Sequence, residues 1–577
     1  MGWSFKKAVA GIRHSGPKTV EQPDGNLYDS LRIGPNGIRL LKIQPATSLN
    51  SPVIATLVTA KRSDSMTKYD ALSYMWGNHN ERGTIYVNGQ PMDVTRSLHT
   101  ALRYLRLPRE EVVIWADAIC INQTDTQEKS VQVGKMNEIY TQARSVRIWL
   151  GEAGPDTDLG MSVINSCSVK MSDGEIIGNL FRNQKSGMGL VDILSRPYWF
   201  RTWMFQEIVL ARRAFVHCGT SVADWSMFIR ADFVIAHISR TGRLRYEWAA
   251  NLLNAFSNIT RFTIPPSNLK DIDTVLMSTR GLQATESRDK LYGLMGVCDL
   301  AKYITVDYSK SARDVYVEFT RNFSQRTGDL RLLCTAGPWD DRNGKDMGLP
   351  SWVPDFRGNE GVEPGFVAAA HDKTFDACKG HRFGQAGQDG YDDGVLTVEG
   401  FVIDTIETTM PWSVGDAGRK QLFERLGIAN NRGEMLGAIP LDQRNVPNVS
   451  TWLGYDPEID FKLLTEEYMN LRKSKPGALD EYRARFVGEV NASRGIEVTG
   501  FKSVGNYIGR TTHAGKVGDV VAVLHGSQFP VVLRQLGSRK GPRYQYIGPC
   551  YAKGLMFGEA IDAAEAQGMK VSRLALV

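Results

Sequence analysis

A carboxylate, Glu207, lies in a stretch of aromatic and aliphatic residues that is otherwise typical of a protein core. Trp199 and Trp203 precede it at intervals of four residues, and Leu210 and Ala211 follow it three and four residues later. This spacing places all of them on or near one side of a predicted helix. A carboxylate in that position must be paired, protonated or facing a cavity, because burying an isolated charge is costly. If it faces a cavity, it could stabilise positive charge that develops on a bound substrate.

A second group of polar residues follows an apolar run at 112–115 that is typical of a buried strand. Asp117, Asn122 and Gln123 lie in the loop after this run. Ligands of open parallel sheets bind beyond the carboxyl ends of the strands, so we predict that this loop contributes to a small-molecule site. The alternatives are structural, since Asp117 could cap a turn and Asn122 could adopt a left-handed turn conformation.

The elements that must position this loop form a strand–loop–helix–strand unit. Asp125 and Glu128 have the spacing of a capping box, which predicts that a helix begins there. Apolar residues recur at helical spacing up to Ala143, and residues 146–150 alternate as a strand does. Because the connection is a crossover helix, the two strands are predicted to be parallel. The fold class is therefore α/β, with a parallel sheet in the core.

The whole chain divides into four predicted segments. They are a loose N-terminal segment (1–34), an α/β core (35–222) with an insertion at about 153–190, a helical region (223–345) and a C-terminal α+β region (346–577). Short apolar runs with Gly turns near the end predict a small sheet or barrel. Two helices are also predicted at 461–471 and 479–490.

Composition excludes several classes of function. The net charge of +6 is spread over 577 residues, without the Lys and Arg runs that indicate nucleic-acid binding. Seven scattered cysteines without a CxxC motif argue against a zinc site or a disulfide framework, and no His in the block around Cys120 could activate it as a nucleophile. No apolar run approaches the roughly 20 residues of a membrane span, and the N-terminus lacks the apolar core of a signal peptide. We therefore predict a cytoplasmic protein with no metal, nucleic-acid or membrane partner.

Three aromatic-rich blocks occur in order along the chain. They read YDALSYMWG at 69–77, IWADAICINQ at 114–123 and RPYWFRTWMFQE at 196–207. Together they resemble the blocks of the fungal heterokaryon-incompatibility (HET) domain, over roughly residues 35–220. This resemblance implies an intracellular fungal protein that acts in non-self recognition and programmed cell death, with self-association and a partner protein in incompatibility signalling.

The HET domain is in turn similar to the TIR domain, which implies a mechanism. In TIR domains an early strand carries a block similar to 69–74, and a later Trp-x-x-x-Glu helix carries the catalytic glutamate of an NAD+ glycohydrolase. Trp203 and Glu207 have this spacing, although Met204 stands where a Cys is usual. The resemblance thus implies a TIR-like core in which Glu207 is catalytic and NAD+ is a substrate, with no bound cofactor. The implied substrate-binding residues are Trp76, Ser73, Tyr74, Asp117, Asn122, Gln123 and Trp203.

Other functions are compatible with the same residues. Glu207 could be a structural carboxylate paired with Arg196 or Arg201, because buried ion pairs also perturb carboxylates. The core could be a non-catalytic signalling or assembly module, or an enzyme of fungal secondary metabolism on the same scaffold. An open cleft shared by Glu207 and the 117–123 loop would favour an enzyme. Burial of these residues against arginine partners would favour the module.

Overall fold

The computed structural model describes residues 27–62, 68–167, 172–181, 183–241, 247–264, 268–337, 347–358, 375–384, 394–413, 497–512, 514–537, 541–552 and 554–577. Two sheets, one of nine strands and one of seven, organise these residues. The helices predicted at 461–471 and 479–490, and most of the predicted N-terminal segment, lie outside the described residues.

The nine-stranded sheet forms the first half of the fold. Its strands are β1 (Gly37–Ile43), β2 (Ile54–Lys61), β3 (Asp70–Tyr74), β4 (Arg82–Val87), β5 (Gln90–Thr95), β6 (Val112–Trp115), β7 (Ser145–Trp149), β8 (Ala214–Cys218) and β9 (Ser221–Asp224). They stand in the order β5-β4-β2-β1-β6-β3-β7-β8-β9. Strands β6, β3, β7 and β8 are parallel, whereas β1 and β9 pair antiparallel with β6 and β8. The predicted α/β class with a parallel sheet is confirmed.

The order of the four parallel strands determines where a ligand could bind. Taken along the chain they are β3, β6, β7 and β8, and in space they stand second-first-third-fourth. This is the order of flavodoxin-like doubly wound sheets, whose ligands bind at the carboxyl ends of the first and third strands. Strands β6 and β7 are parallel as predicted, but β3 lies between them.

Hairpins extend the sheet on one side. β1 and β2 pair antiparallel as the N-terminal hairpin, and an Asn-Gly turn joins β4 to β5. Asn88 and Gly89 have φ values of 51° and 80°, as a type I′ turn requires at both central residues.

Most of the helices lie between residues 96 and 327, and one lies near the C-terminus. They are α1 (Arg96–Leu105), α2 (Asp117–Cys120), α3 (Thr126–Val133), α4 (Met136–Gln142), α5 (Thr157–Ser166), α6 (Asp173–Phe181), α7 (Gln184–Leu194), α8 (Thr202–Val209), α9 (Trp225–Thr241), α10 (Glu247–Thr260), α11 (Ile272–Thr279), α12 (Asp289–Tyr292), α13 (Ala312–Thr327) and α14 (Glu559–Ala566). Single 3-10 turns occupy Asp29–Leu31, Pro197–Phe200, Arg261–Thr263, Asn268–Lys270, Asp299–Lys302 and Arg331–Thr335. Within the described residues, no helix is both long and apolar enough to cross a bilayer.

One helical prediction, for the segment between β6 and β7, needs correction. The single helix expected between β6 and β7 is divided into α3 and α4, because α3 ends at Gly134, a residue with low helix propensity. The Asp125 side chain does accept from the Glu128 amide at 2.9 Å, so the predicted helix start is confirmed. The described parts of the expected insertion at 153–190 form α5, α6 and most of α7.

The C-terminal sheet closes into a barrel. Its strands are β10 (Leu396–Ser413), β11 (Glu497–Ser503), β12 (Ile508–Thr512), β13 (Val520–Leu524), β14 (Val531–Leu536), β15 (Arg543–Ala552) and β16 (Ser572–Leu576). The first part of β10 pairs with β13 and its last part with β11, and the ring is completed through β12, β15 and β14. Register shifts along β10 are the bulges that let one long strand bend round the barrel.

The barrel is joined to the rest of the protein by a strand that is buried on both faces. Val521 and Val523 of β13 pack inside the barrel core, whereas Val520, Ala522 and Leu524 pack in the large core that also contains the nine-stranded sheet. This double burial explains why the strand is a continuous apolar run instead of an alternating one.

Strand β3 is fixed to β7 by a buried carboxylate. Asp70, which is 1% exposed, accepts hydrogen bonds from Arg144, Ser145 and Arg147 at distances of 2.7 to 3.0 Å. Burial alone would raise the pKa of Asp70, but these partners outweigh burial and hold the pKa below its usual value. The ionised Asp70 therefore stabilises the centre of the sheet.

We predict that Asp70→Asn lowers the free energy of unfolding by about 2 kcal/mol at neutral pH, since it leaves two arginines without their buried counter-charge. The Asp70 contribution is present above the normal carboxyl pKa and is lost as the pH falls through the lowered one, so the difference should shrink in acid. Urea unfolding at neutral and acid pH measures both effects.

Glu111→Gln is the matched control, because Glu111 pairs with Lys42 at 3.7 Å on the surface and surface pairs contribute only about 0–1 kcal/mol. Equal stability of the two variants at neutral pH would contradict the role given to Asp70.

Candidate functional site

Glu207 lies on α8, at the carboxyl end of β3. Its side chain is buried, with 4% of the residue exposed, and Ser73 of β3 donates a hydrogen bond to its carboxylate. The Ser73 hydroxyl lies 2.5 Å from the hydroxyl of Tyr198, which belongs to the 3-10 turn that begins at Pro197. A chain of hydrogen bonds therefore joins the central strand to the helix that carries Glu207.

The electrostatic setting of Glu207 favours its protonated form. Burial raises the pKa of Glu207 to about 7, against the opposing effects of the Arg201 charge and the Ser73 hydrogen bond. The charge of Asp117 raises it further, and the hydroxyl of Tyr140 lowers it. Glu207 is thus poised to titrate near neutral pH, as groups that exchange protons in catalysis often are.

Neither arginine considered as a structural partner forms an ion pair with Glu207. Arg196 pairs with Asp192 at 2.8 Å and also donates to two backbone carbonyls, so it is not the counter-charge of Glu207. Arg201 donates to the carbonyl oxygen of Tyr74 and acts on Glu207 from a distance. Among the described residues, no Lys or Arg nitrogen lies within 4.0 Å of the Glu207 carboxylate.

The charge of Arg201 acts on Asp117 as well as on Glu207. One of its oxygens accepts from the indole of Trp76 at 2.9 Å, and the other accepts from the amide of Ala118 at 2.8 Å. Asp117 therefore bonds within the turn after β6 and also holds Trp76, which follows β3, but no side-chain hydrogen bond caps the helix that it begins. Burial raises its pKa, and Arg201 and these hydrogen bonds oppose the rise. Tyr74 lies close enough for the charge of Asp117 to raise the pKa of its buried hydroxyl.

The other two polar residues of this loop bond within the loop. The side chain of Gln123 donates to the carbonyl oxygen of Asp117 at 3.0 Å. The side-chain oxygen of Asn122 accepts from the amide and the hydroxyl of Thr124 at 3.2 and 2.7 Å. Asn122 does not adopt the left-handed conformation considered from sequence. In this form, both residues shape the loop and do not contact Glu207.

Trp203 contacts the helical region instead of the end of β3. Its indole donates to Asp289 at 2.9 Å, and the other oxygen of Asp289 accepts from Tyr308 at 2.7 Å. Nearby, the side-chain oxygen of Gln206 accepts from the Gly296 amide at 2.7 Å. We call Asp289, Gly296 and Tyr308 the α8 clamp. Residues 288–294 form a charged cluster that runs into an apolar segment, and Asp289 of this cluster has a structural role because it holds Trp203.

Two members of the site, Tyr140 and Tyr198, are missing from the residues named in the sequence analysis, and Arg201 is named there only as a possible ion-pair partner of Glu207. Tyr198 and Arg201 belong to the same aromatic block at 196–207 as Glu207, and this closeness in sequence could have predicted that they lie beside it. Tyr140 is fully buried on α4 and donates to the carbonyl oxygen of Leu72 at 3.1 Å. Its place beside Glu207 follows only from the packing of α4 against α8.

The site is closed in this form. Ser73, Tyr74, Tyr198 and Glu207 are each at most 4% exposed, and the half-buried Trp76 lies at the edge of the group. The open cleft that would favour an enzyme is therefore absent at Glu207 among the described residues. Those residues also contain no cluster of three or more His, Cys, Asp or Glu side chains that could hold a metal ion.

Two parts of the chain match known protein families. Residues 69–207 match the heterokaryon incompatibility protein (HET) family, and residues 499–570 match the Het-6 β-barrel domain. The chain therefore carries a HET domain and a C-terminal Het-6 barrel domain, which confirms the resemblance found in the three sequence blocks. The HET match begins at Tyr69, just before β3, and ends at Glu207.

A relative covers nearly the whole chain. Heterokaryon incompatibility protein 6, OR allele, of Neurospora crassa is 25% identical over 680 aligned positions, which include 94% of this chain and 98% of that protein. No solved structure matches this chain.

We predict that Glu207→Gln becomes more stable relative to the parent protein as the pH rises from about 5 to about 8. The pKa of Glu207 is higher in the folded state than the normal 4.5, so its favourable contribution is present in acid and is lost as the pH rises through about 7. The full difference is about 3 kcal/mol, from about 1.4 kcal/mol per pKa unit. Thermal unfolding at several pH values measures it.

Glu110→Gln, which removes an exposed carboxylate, is the control and should show no such trend. A pH profile of Glu207→Gln that runs parallel to that of the parent protein would show that Glu207 titrates normally.

Proposed function

We propose that this protein acts in fungal heterokaryon incompatibility and that its HET core cleaves NAD+ to nicotinamide and ADP-ribose at Glu207. The first part is supported by the HET and Het-6 barrel matches and by the name of the Neurospora relative. The second part rests on one observation: a carboxyl group that titrates near neutral pH lies at the carboxyl end of β3. Loss of cellular NAD+ would then cause programmed cell death.

A TIR-like core is part of this proposal. The Trp203-to-Glu207 spacing and the block at 69–74 support it at the level of sequence. The second-first-third-fourth order of the parallel strands supports it at the level of topology, because it places the ends of β3 and β7 at the switch point of the sheet. Glu207 bonds directly to Ser73 at that point.

The chemistry requires a carboxylate and no metal. Nicotinamide leaves C1′ of the ribose as a neutral molecule, and the ribose passes through an oxocarbenium-like transition state, as in glycoside hydrolysis. Ionised Glu207 would stabilise this positive charge and hold the ribose hydroxyls. Water adds to C1′ and releases a proton, which completes ADP-ribose. Trp76 could stack on the nicotinamide or adenine ring once it is free of Asp117.

Access to Glu207 requires a change from the closed form. Trp76 must leave Asp117, or α8 must move relative to β3, before a substrate can reach a carboxylate that is 4% exposed. We propose that self-association, under the control of a partner protein in incompatibility signalling, drives this opening. The α8 clamp would oppose it, because it bonds to Trp203 and Gln206 on α8 itself.

A second candidate is a non-catalytic assembly module built on the same core. The observation in its favour is the burial of Glu207, whose carboxylate already accepts from Ser73 and lies in the field of Arg201. In such a protein Glu207 would serve only to dock α8 on β3. The two candidates differ in whether NAD+ is consumed.

We predict that purified full-length protein releases nicotinamide from NAD+ and that the rate per molecule rises with protein concentration. Glu207→Gln should lower the rate by at least about 100-fold, the order of effect seen when a group that stabilises transition-state charge is removed. Chromatographic measurement of nicotinamide is the assay, with Glu110→Gln as the control.

Equal rates for Glu207→Gln and the parent protein would disprove the assignment of Glu207. No release at any concentration, from parent protein with a folded circular dichroism spectrum, would favour the assembly module.

The rate should also depend on pH through Glu207. Because the ionised form stabilises the transition state and the pKa is about 7, kcat/KM should rise between about pH 6 and about pH 8 and then level off. A rate that is flat over this interval would show that another group is responsible.

A further inference from the structure

A second polar site lies in the helical region, away from Glu207. A cavity of about 40 Å³ lies between α11, Lys290 of α12, the 3-10 turn Arg331–Thr335 and Phe356. A cavity needs roughly 10–15 Å³ to hold one water molecule, so this one has room for about three water-sized groups. That is the size of a small oxyanion.

Positive charge dominates the lining of this cavity. Among the described residues, its charged lining residues are Arg280, Lys290, Arg331 and Asp273. Arg331 lies 2.7 Å from Asp273, so these two charges compensate each other. The charges of Arg280 and Lys290 are left to face the cavity.

The guanidinium of Arg280 is incompletely bonded. Its Nε donates to the carbonyl oxygen of Gly358 at 3.0 Å, but its buried Nη2 has no hydrogen-bond partner among the residues that the structure describes. Burial lowers the pKa of Arg280 to about 10, and the charge of Asp355 opposes the shift. Asp355 is also bonded to Arg357 at 2.6 Å, so its negative charge is shared between Arg357 and the two cations of the cavity. A buried donor without a partner costs free energy that a ligand oxygen would recover.

Lys290 has one donor to spare. It is 5% exposed, and its ammonium group donates to the carbonyl oxygens of Arg280 and Leu282 at 2.8 and 2.5 Å. An ammonium group has three N–H bonds, so one is left for a ligand. Burial and the neighbouring Arg280 lower its pKa to about 8; Arg261 adds to this effect and Asp355 opposes it.

We propose that this cavity binds a phosphate group, with Arg280 and Lys290 as its cationic ligands. Two converging cations, one with an unpaired buried N–H, provide the charge-assisted hydrogen bonds by which proteins hold phosphate. Thr279 and Thr335 line the same cavity, and their hydroxyls donate to the carbonyl oxygens of Val275 and Leu332 at 2.6 and 3.0 Å. The site adjoins the α8 clamp, because Lys290 directly follows Asp289, but its occupancy does not depend on the proposed NAD+ chemistry.

The test is calorimetric titration of full-length protein with inorganic phosphate near neutral pH. Potassium chloride at equal ionic strength controls for screening. We expect one phosphate per chain and a rise in Tm that chloride does not produce, because a ligand that binds the folded state stabilises it. Phosphoserine and acetate are titrated in the same way. Tighter binding of phosphoserine would indicate that the phosphate belongs to a larger molecule, and tighter binding of inorganic phosphate would indicate the free anion.

Arg280→Gln should weaken phosphate binding by about tenfold or more, since it removes a hydrogen bond between charged groups. Arg326→Gln, which removes an exposed arginine of α13, is the matched control and should bind as the parent protein does. The proposal would be overturned if Arg280→Gln bound phosphate as tightly as Arg326→Gln does. It would also be overturned by acetate binding as tightly as phosphate, or by a parent protein that shows neither heat nor a rise in Tm specific to phosphate. The parent-protein titration decides the question even if Arg280→Gln does not fold.

Discussion

The hydrogen bond between Ser73 and Glu207 links the two halves of the HET core. Ser73 lies one residue before the end of the buried strand β3, and Glu207 belongs to a helix more than 130 residues later in the chain. Burying a carboxyl group at this junction raises its pKa, and the nearby charge of Arg201 limits the rise. The same arrangement can dock a helix on a sheet and can hold a group that exchanges a proton near neutral pH. The closed form described here serves the first purpose, and the proposed activity would require Glu207 to be ionised and open to the substrate.

The loop that carries Asp117 depends on another buried charge. Arg39 of β1 is 1% exposed and forms two hydrogen bonds, of 2.6 and 2.9 Å, with the carboxylate of Glu128. Arg39 also donates to the carbonyl oxygen of Cys120, and Glu128 accepts from the amide of Asn122. The N-terminal hairpin therefore supports the loop from behind, although the HET match begins only at Tyr69. In this chain, the loop after β6 therefore depends on a strand that precedes the matched segment.

Much of the fold could be predicted from local patterns, because those patterns reflect local physics. The parallel core followed from apolar runs separated by a helical pattern, and the β4–β5 turn followed from Asn88 and Gly89. The insertion of β3 between β6 and β7 could not be predicted, since strand order depends on packing between distant segments. The burial of Glu207 could be predicted from its aromatic neighbours in the sequence. The α8 clamp could not be predicted, because Trp203 and Asp289 are 86 positions apart in the chain. Asn122 and Gln123 had the right chemistry and position for a site, but local hydrogen bonds already use their side chains.

The central claim is that Glu207 is a buried carboxyl group that titrates near neutral pH, and infrared spectroscopy of the parent protein and Glu207→Gln tests it most directly. The difference spectrum should contain the carbonyl band of one protonated carboxyl group, which disappears with a midpoint near pH 7. A band that has already disappeared with a midpoint near the normal carboxyl pKa of 4.5 would contradict the account. Glu207 would then be an ordinary ionised carboxylate, and neither the predicted pH dependence of stability nor that of kcat/KM would stand.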